Sequence, residues 1–274
     1  MSHALKALLR PLFKLLLLLF VALLALQLYF VGRIALMAIL APESTAFQRS
    51  EIYRVVNKTG SLKWRQDWVP YAQISVNLKR AVIASEDASF TEHDGLDLEA
   101  LEKAWGKNAV AEQRAQKQAD RLAAEMAKRQ QGKKSNIFSA APAPPTLVAK
   151  APKIIGGSTI TQQLAKNLFL SGERTLLRKG EELLLTLLLE SMLNKQRILE
   201  IYLNNVEWGE GIFGAEAAAQ HYFRKPAARL SPYEAARLAV MLPRPRYFET
   251  RPNSDYLASR ANTIVARMGG VDVP

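Results

Sequence analysis

The 274 residues contain no cysteine, so neither a disulfide framework nor a thiolate metal site can form in this chain. Histidine is scarce too: His3, His93 and His221 lie far apart, without a paired metal-ligand spacing. Acidic residues number 25 against 37 Lys and Arg, and the net charge of +12 implies an anionic partner: a phosphate, a membrane surface or a nucleic acid. Strand signals are few, so the chain reads as mainly α. Two short matches fail for want of their context. Lys58-Thr59-Gly60 is one motif of the serine β-lactam-binding enzymes, yet no Ser-x-x-Lys supplies an acylating serine. Gly209-x-Gly211-x-x-Gly214 spells the dinucleotide fingerprint, but a helical pattern precedes it rather than a strand.

What is present begins with an anchor. Lys6, Arg10 and Lys14 flank an apolar run over 15–31, broken by Gln27. With residues 11–13 in front it reaches the ~20 residues that span a bilayer. A cleaved signal peptide is the alternative, but the run exceeds the roughly 7–15 residues of its apolar core, and no small-x-small site follows cleanly before Pro42. The basic cluster puts the amino terminus in the cytoplasm; Arg33 weakens that asymmetry without reversing it. We therefore expect 1–40 to be a cytoplasmic end with a single transmembrane helix, and 41–274 an extracytoplasmic head. Residues 41–75, with scattered Tyr53, Trp64, Trp68 and Tyr71, read as a connecting region.

Residues 84–97 follow the apolar-periodic positions Val76, Ala81, Val82 and Ile83, and carry Glu86, Asp87, Glu92, His93, Asp94 and Asp97. The pattern predicts a helix that opens into a loop near Gly95, with Glu86 at its end. A carboxylate held against apolar surface and a second negative charge has a raised pKa, as a general acid or base requires near neutral pH. Read alone, the stretch is equally an acidic, solvated turn.

The second informative stretch is 156–167. Two glycines lead into Thr159-x-x-Gln162, a capping box that starts a helix. Ile160, Leu164 and Leu168 mark its buried face; Gln162 and Lys166 share another face with Ser158. A helix amino terminus with a lysine one turn in suits an anion, above all a phosphate. Residues 174–193 form the most apolar helix of the head, along which Arg178, Glu182, Thr186 and Glu190 draw one polar stripe that must be paired or line a cavity. Helices follow at 195–204 and from Ser231, where Ser-Pro-Tyr-Glu is a capping box with proline in the first turn.

Between these stretches composition shifts. After a short helix at 98–106, residues 107–153 carry ten Lys or Arg against three Asp or Glu. Ala111, Ala115, Ala119, Leu122 and Met126 fall at helical spacing, and prolines forbid a helix over 135–152. We read 107–153 as an insertion: a basic helix, then an Ala/Pro-rich linker. Its charges are not interleaved with aromatic residues beyond the lone Phe138, which disfavours nucleic acid.

Four groups of residues, in order, resemble the signatures of the peptidoglycan glycosyltransferases (glycosyltransferase family 51). They are Glu86-Asp-x-x-Phe-x-x-His93-x-Gly95-x-Asp97, Gly157-Ser-Thr-x-Thr-Gln-Gln-x-x-Lys166-Asn167, Arg178-Lys179-x-x-Glu182 and Arg197-Ile-Leu-x-x-Tyr202-Leu203-Asn204. The resemblance covers about 65–250 apart from the insertion, and one anchor without a second catalytic domain matches the family's monofunctional members. It implies a lysozyme-like, mainly α-helical head on a single N-terminal transmembrane helix in a bacterial inner membrane, with the head in the periplasm. Implied partners are the membrane, lipid II and the nascent glycan strand, and no nucleic acid; cell-wall synthesis or division proteins would be further partners. The implied reaction polymerises lipid II, with inversion, by transfer from undecaprenyl pyrophosphate to a GlcNAc 4-hydroxyl. By the same resemblance Glu86 is the general base, and Lys166, Arg178 and Lys179 neutralise the pyrophosphate. Glu182 is the second catalytic glutamate, holding these cations or a divalent metal (Mg or Mn); no organic cofactor is implied. Ser158, Thr159, Gln162, Gln163 and Asn204 would position substrate, while Asp87 and His93 shape the turn around Glu86.

Two other classes use the same residues. A lysozyme-like glycosidase needs two carboxylates, which Glu86 and Glu182 supply, but has no use for three cations beside its acid. A catalytically silent membrane-anchored scaffold has no reason to keep that charge cluster.

Overall fold

The computed structural model describes residues 3–133, 157–170 and 175–274. They divide into two compact units, Met1–Leu96 with Thr159–Pro274, and Asp97–Ser158.

The first unit opens on α1 (His3–Met37), of which Pro11–Met37 is long and apolar enough to cross a membrane, with a mean hydropathy of 2.6. Most of its leucines are exposed, as lipid-facing side chains would be, but Phe30, Ile34 and Met37 in its last turns are buried. Phe30 meets Phe169 edge-on at 5.3 Å. A helix end leaves its last carbonyls without intrahelical partners. Here backbone N–H groups of 38–40 meet the carbonyls of Ala35 and Leu36, while Arg197 Nε donates to the Met37 carbonyl at 2.7 Å and Nη2 to that of Leu40, beyond the helix, at 2.8 Å. One signature arginine thus ties the anchor to the head.

Residues 46–59, expected as part of a connecting region, instead form α2 (Ala46–Thr59). Thr45 and Gln48 make a reciprocal capping box at its start, and Gly60, at φ +67°, closes it in the left-handed conformation that glycine adopts without steric penalty. Lys58-Thr59-Gly60 is therefore a helix terminus. After β1 (Arg65–Gln66) comes α3 (Val76–Glu86), capped by Ser75, whose Leu78, Ala81, Val82 and Ile83 are buried. It ends at Glu86 because Asp87 leaves helical geometry at φ −164°.

After α4 (Leu98–Lys133), which belongs to the second unit, the remaining elements of the first are α5 (Ile160–Phe169), α6 (Leu176–Met192), α7 (Lys195–Asn205), β2 (Glu207–Gly209), β3 (Ile212–Phe213), α8 (Ala215–Phe223), α9 (Pro232–Met241), α10 (Pro245–Glu249) and α11 (Asp255–Arg267). α3 packs on α9 and α11, and α5 on α6 and α7. The three short strands form one sheet in the order β1-β3-β2. The glycine pattern that mimics a nucleotide loop turns this hairpin: a Cβ on Gly211 would lie 2.1 Å from the Lys63 carbonyl oxygen. Trp208, Tyr202, Phe90 and Phe213 are the largest fully buried side chains. The mainly α architecture is as expected.

In the second unit α4 (Leu98–Lys133) runs unbroken for 36 residues, whereas the composition suggested a stop near 106. Gly106 lies in open space within it. An interior glycine costs a helix only about 1 kcal/mol, and the flanking Ala, Lys, Glu and Gln offset that. The Asp97 carboxylate caps its start, accepting from the Ala100 N–H at 2.7 Å. Ala111, Ala115, Ala119 and Leu122 are half-covered as their spacing suggested. The expected linker at 135–152 lies outside the described residues.

Candidate active site

The amphipathic pattern of α3 buries Ile83 and Ala84 and brings Glu86 to the end of the helix with Phe90 beneath the following turn. Glu86 stays partly exposed. From α5, Gln163 Nε2 donates to Glu86 Oε2 at 3.1 Å, and Ser85 Oγ lies 3.5 Å from Oε1. Burial pushes the Glu86 carboxyl above its ordinary range. The bonds from Gln163 and Ser85 and the charge of Lys166 pull the other way, and the neighbouring Asp87 adds to the rise; the net direction is up.

The turn that follows is braced from three sides. Asp87 is buried; its Oδ2 accepts from the Ile160 N–H at 2.9 Å, and its Oδ1 pairs with His93 Nε2 at 2.9 Å. His93 Nδ1 accepts from the Gly95 N–H at 3.1 Å, which places the ring proton on Nε2, facing Asp87. Thr159 Oγ1 donates to the Gly95 carbonyl at 2.7 Å while capping α5. Gly95 itself sits at φ +84°, where a Cβ would fall 2.6 Å from Thr186 Cγ2. Finally Lys195 Nζ donates to the His93 carbonyl and to Glu190 Oε1, which also accepts from Thr161 Oγ1. Thr161, Glu190 and Lys195 escaped the sequence reading, although Glu190 lies on the polar stripe it identified.

That stripe is paired. Glu182, 4 % exposed, gives Oε2 to Arg178 Nη1 at 2.9 Å and Oε1 to Lys179 Nζ. Thr186 donates back to the Glu182 carbonyl at 2.7 Å. Arg178 Nε is buried without a partner among the described residues. The three side chains thus present two cations held by one carboxylate.

Other expected substrate contacts stand elsewhere. Thr159 and Gln162 are buried and committed to their capping box. Asn204 is fully buried: Oδ1 accepts from the Val69 N–H at 2.9 Å, and Nδ2 donates to the carbonyls of Val69 and Glu200. It clamps the segment after β1 to α7. Ser158 is exposed, at the end of the second unit. Lys166 is exposed on α5, close enough to Glu86 to act on its carboxyl. Tyr202, which carried no expected role, donates its hydroxyl to Gln163 Oε1 at 2.9 Å.

A helical head on an apolar anchor, holding a desolvated carboxylate near a lysine and a separate arginine–lysine pair, is the equipment of an enzyme that moves a proton while neutralising an anionic group. The chain belongs to the transglycosylase family, whose model matches residues 53–129 and 137–269. Its lysozyme-like, mainly helical head follows from that membership. Among relatives, proteins named biosynthetic peptidoglycan transglycosylase from Burkholderia thailandensis and Burkholderia pseudomallei are 47 % and 46 % identical over 251 residues, covering 92 % of this chain and 83 % of each relative. One of the same name from Herminiimonas arsenicoxydans is 44 % identical over 269 residues, 98 % of this chain and all of the relative.

Proposed function

We propose that this peptidoglycan glycosyltransferase uses Glu86 as its general base and Lys166, Arg178 and Lys179 as the cations that receive a pyrophosphate leaving group. The substrate is lipid II together with the growing strand, held at a bacterial inner membrane by α1, with the amino terminus cytoplasmic and the head periplasmic. The GlcNAc 4-hydroxyl of lipid II gives its proton to Glu86 as its oxygen attacks C1 of the strand. The C1–O bond to undecaprenyl pyrophosphate breaks, its electron pair leaves with the pyrophosphate, configuration inverts, and the cationic residues stabilise the charge developed on the departing oxygen.

One observation carries the assignment. Glu86 is a signature carboxylate that is desolvated yet partly exposed, and among the described residues its close side-chain donors are Ser85 and the neutral amide of Gln163. A carboxyl so placed has the raised proton affinity that a general base near neutral pH needs. Glu182, in contrast, spends both oxygens on Arg178 and Lys179, a positioning role. Its donor set does not suit a divalent cation, which two adjacent positive charges would repel. Thr159, Gln162, Asn204, Asp87 and His93 act by shaping the site.

Labelled lipid II incubated with the detergent-solubilised protein, with products resolved by size, tests this reading. Long glycan that lysozyme degrades is the expected product. Shortening of pre-made glycan instead would indicate a glycosidase, and no change in either substrate a scaffold.

A further inference from the structure

Tyr202 is a buried residue of α7, and its hydroxyl hydrogen is directed at Gln163 Oε1 at 2.9 Å. The other end of the same amide, Nε2, is directed at Glu86 Oε2 at 3.1 Å. We infer that Tyr202 is a positioning residue for the base: it fixes which end of the Gln163 amide faces Glu86. The inference rests on the proposed role of Glu86.

A glutamine amide has two nearly isosteric ends, one donating and one accepting. An ionised Glu86 only accepts, so it needs Nε2. Were the amide to turn over, Oε1 would face the carboxylate, and the Tyr202 O–H would lose the acceptor it now has. A buried donor left without an acceptor is heavily penalised. The phenol therefore holds the amide in the one orientation that supports the anion. This assigns both ends of Gln163 inside the protein, whereas the signature alone suggested a contact to substrate.

Among the described residues, the charged and titratable groups that face Glu86 are Asp87 beside it, Lys166 from α5 and Tyr202 from α7. Tyr202 is itself held neutral by burial and by the charges of Glu86 and Asp87, so it acts as a hydrogen-bond donor and not as an acid. Of the remaining two, neither changes when Tyr202 loses its hydroxyl. A shift in the pH profile after that change reports the amide alone.

The test is the pH dependence of kcat/KM on lipid II for the full-length protein, Tyr202→Phe, Gln163→Leu and the double variant, with melting curves to confirm folding. Tyr202→Phe should move the acidic limb upward by about half a unit to one unit, the worth of one hydrogen bond. In the Gln163→Leu background the same substitution should add no further shift. A Tyr202→Phe variant that loses activity evenly across pH, or shifts the limb equally in both backgrounds, overturns the inference. Glu86→Gln, run alongside, separates the two layers: full activity there would remove the base assignment beneath it, whereas an inactive Glu86→Gln with an unshifted Tyr202→Phe removes the orienting role alone.

Discussion

Asp87 Oδ2 accepts a hydrogen bond from the backbone N–H of Ile160 at 2.9 Å, across 73 residues of sequence. It joins the residue next to the base to the first residue of the helix that carries Gln163 and Lys166. A helix amino terminus leaves N–H groups unpaired, and a carboxylate meets both that need and the helix dipole. The position of Glu86 relative to α5 is set by this contact. Asp87→Asn cannot satisfy two donors, the Ile160 N–H and His93 Nε2–H, with one amide oxygen. We expect it to cost about 2 kcal/mol, seen as a melting temperature lower by roughly 4–8 °C, together with a marked fall in activity. An unchanged melting curve would show that the contact carries little of the fold.

Lys179 is half exposed, while Glu182 beneath it is buried. Truncating Lys179 to alanine should therefore leave the fold intact and act on the leaving group alone. A lost charge-assisted contact corresponds to about a 10–100-fold fall in kcat/KM on lipid II. Steady-state kinetics at fixed salt measure it; wild-type kinetics would take Lys179 out of the pyrophosphate site.

Arg197 holds the carbonyls of Met37 and Leu40, pairs with Glu200 at 2.9 Å and lies over the Trp68 ring. Arg197→Ala should destabilise the protein by about 2 kcal/mol and speed hydrogen exchange at residues 37–41. Arg197→Lys, with no fork to reach two carbonyls, should fall between. Exchange at 37–41 as slow as in the wild type would mean the anchor is held without Arg197.

The raised Glu86 carboxyl has a consequence for stability. Its pKa is higher folded than unfolded, so the folded state binds the proton more tightly. That contribution is complete below the unfolded value and is lost as pH rises through the folded one. Above it, the buried anion is a net liability. Glu86→Gln, uncharged throughout, should melt at or above the wild type at about pH 8, the gap closing toward about pH 4. A variant clearly less stable at the higher pH would contradict the desolvation of Glu86.

Much of this was legible in the chain. The boxes at Thr159/Gln162 and Ser231/Glu234 start helices where their local chemistry demands, because a cap acts over three residues. The same signal at Thr45/Gln48 was passed over, masked by scattered aromatics that suggested a connector. The shift in composition at 107 misled in the opposite sense, since a change to basic and Ala/Gln-rich sequence does not end a helix of good formers. The burial of Asn204 and the bond from Tyr202 to Gln163 were not legible. Both depend on partners from 39 to 135 residues away, which no local pattern encodes.

Removal of the acceptor's proton by Glu86 is tested by single-turnover elongation by Glu86→Gln on labelled lipid II. With Glu86 in that role, the variant folds, binds lipid II with near-normal affinity and forms no glycan. Polymerisation at near wild-type rate by the folded variant would contradict it.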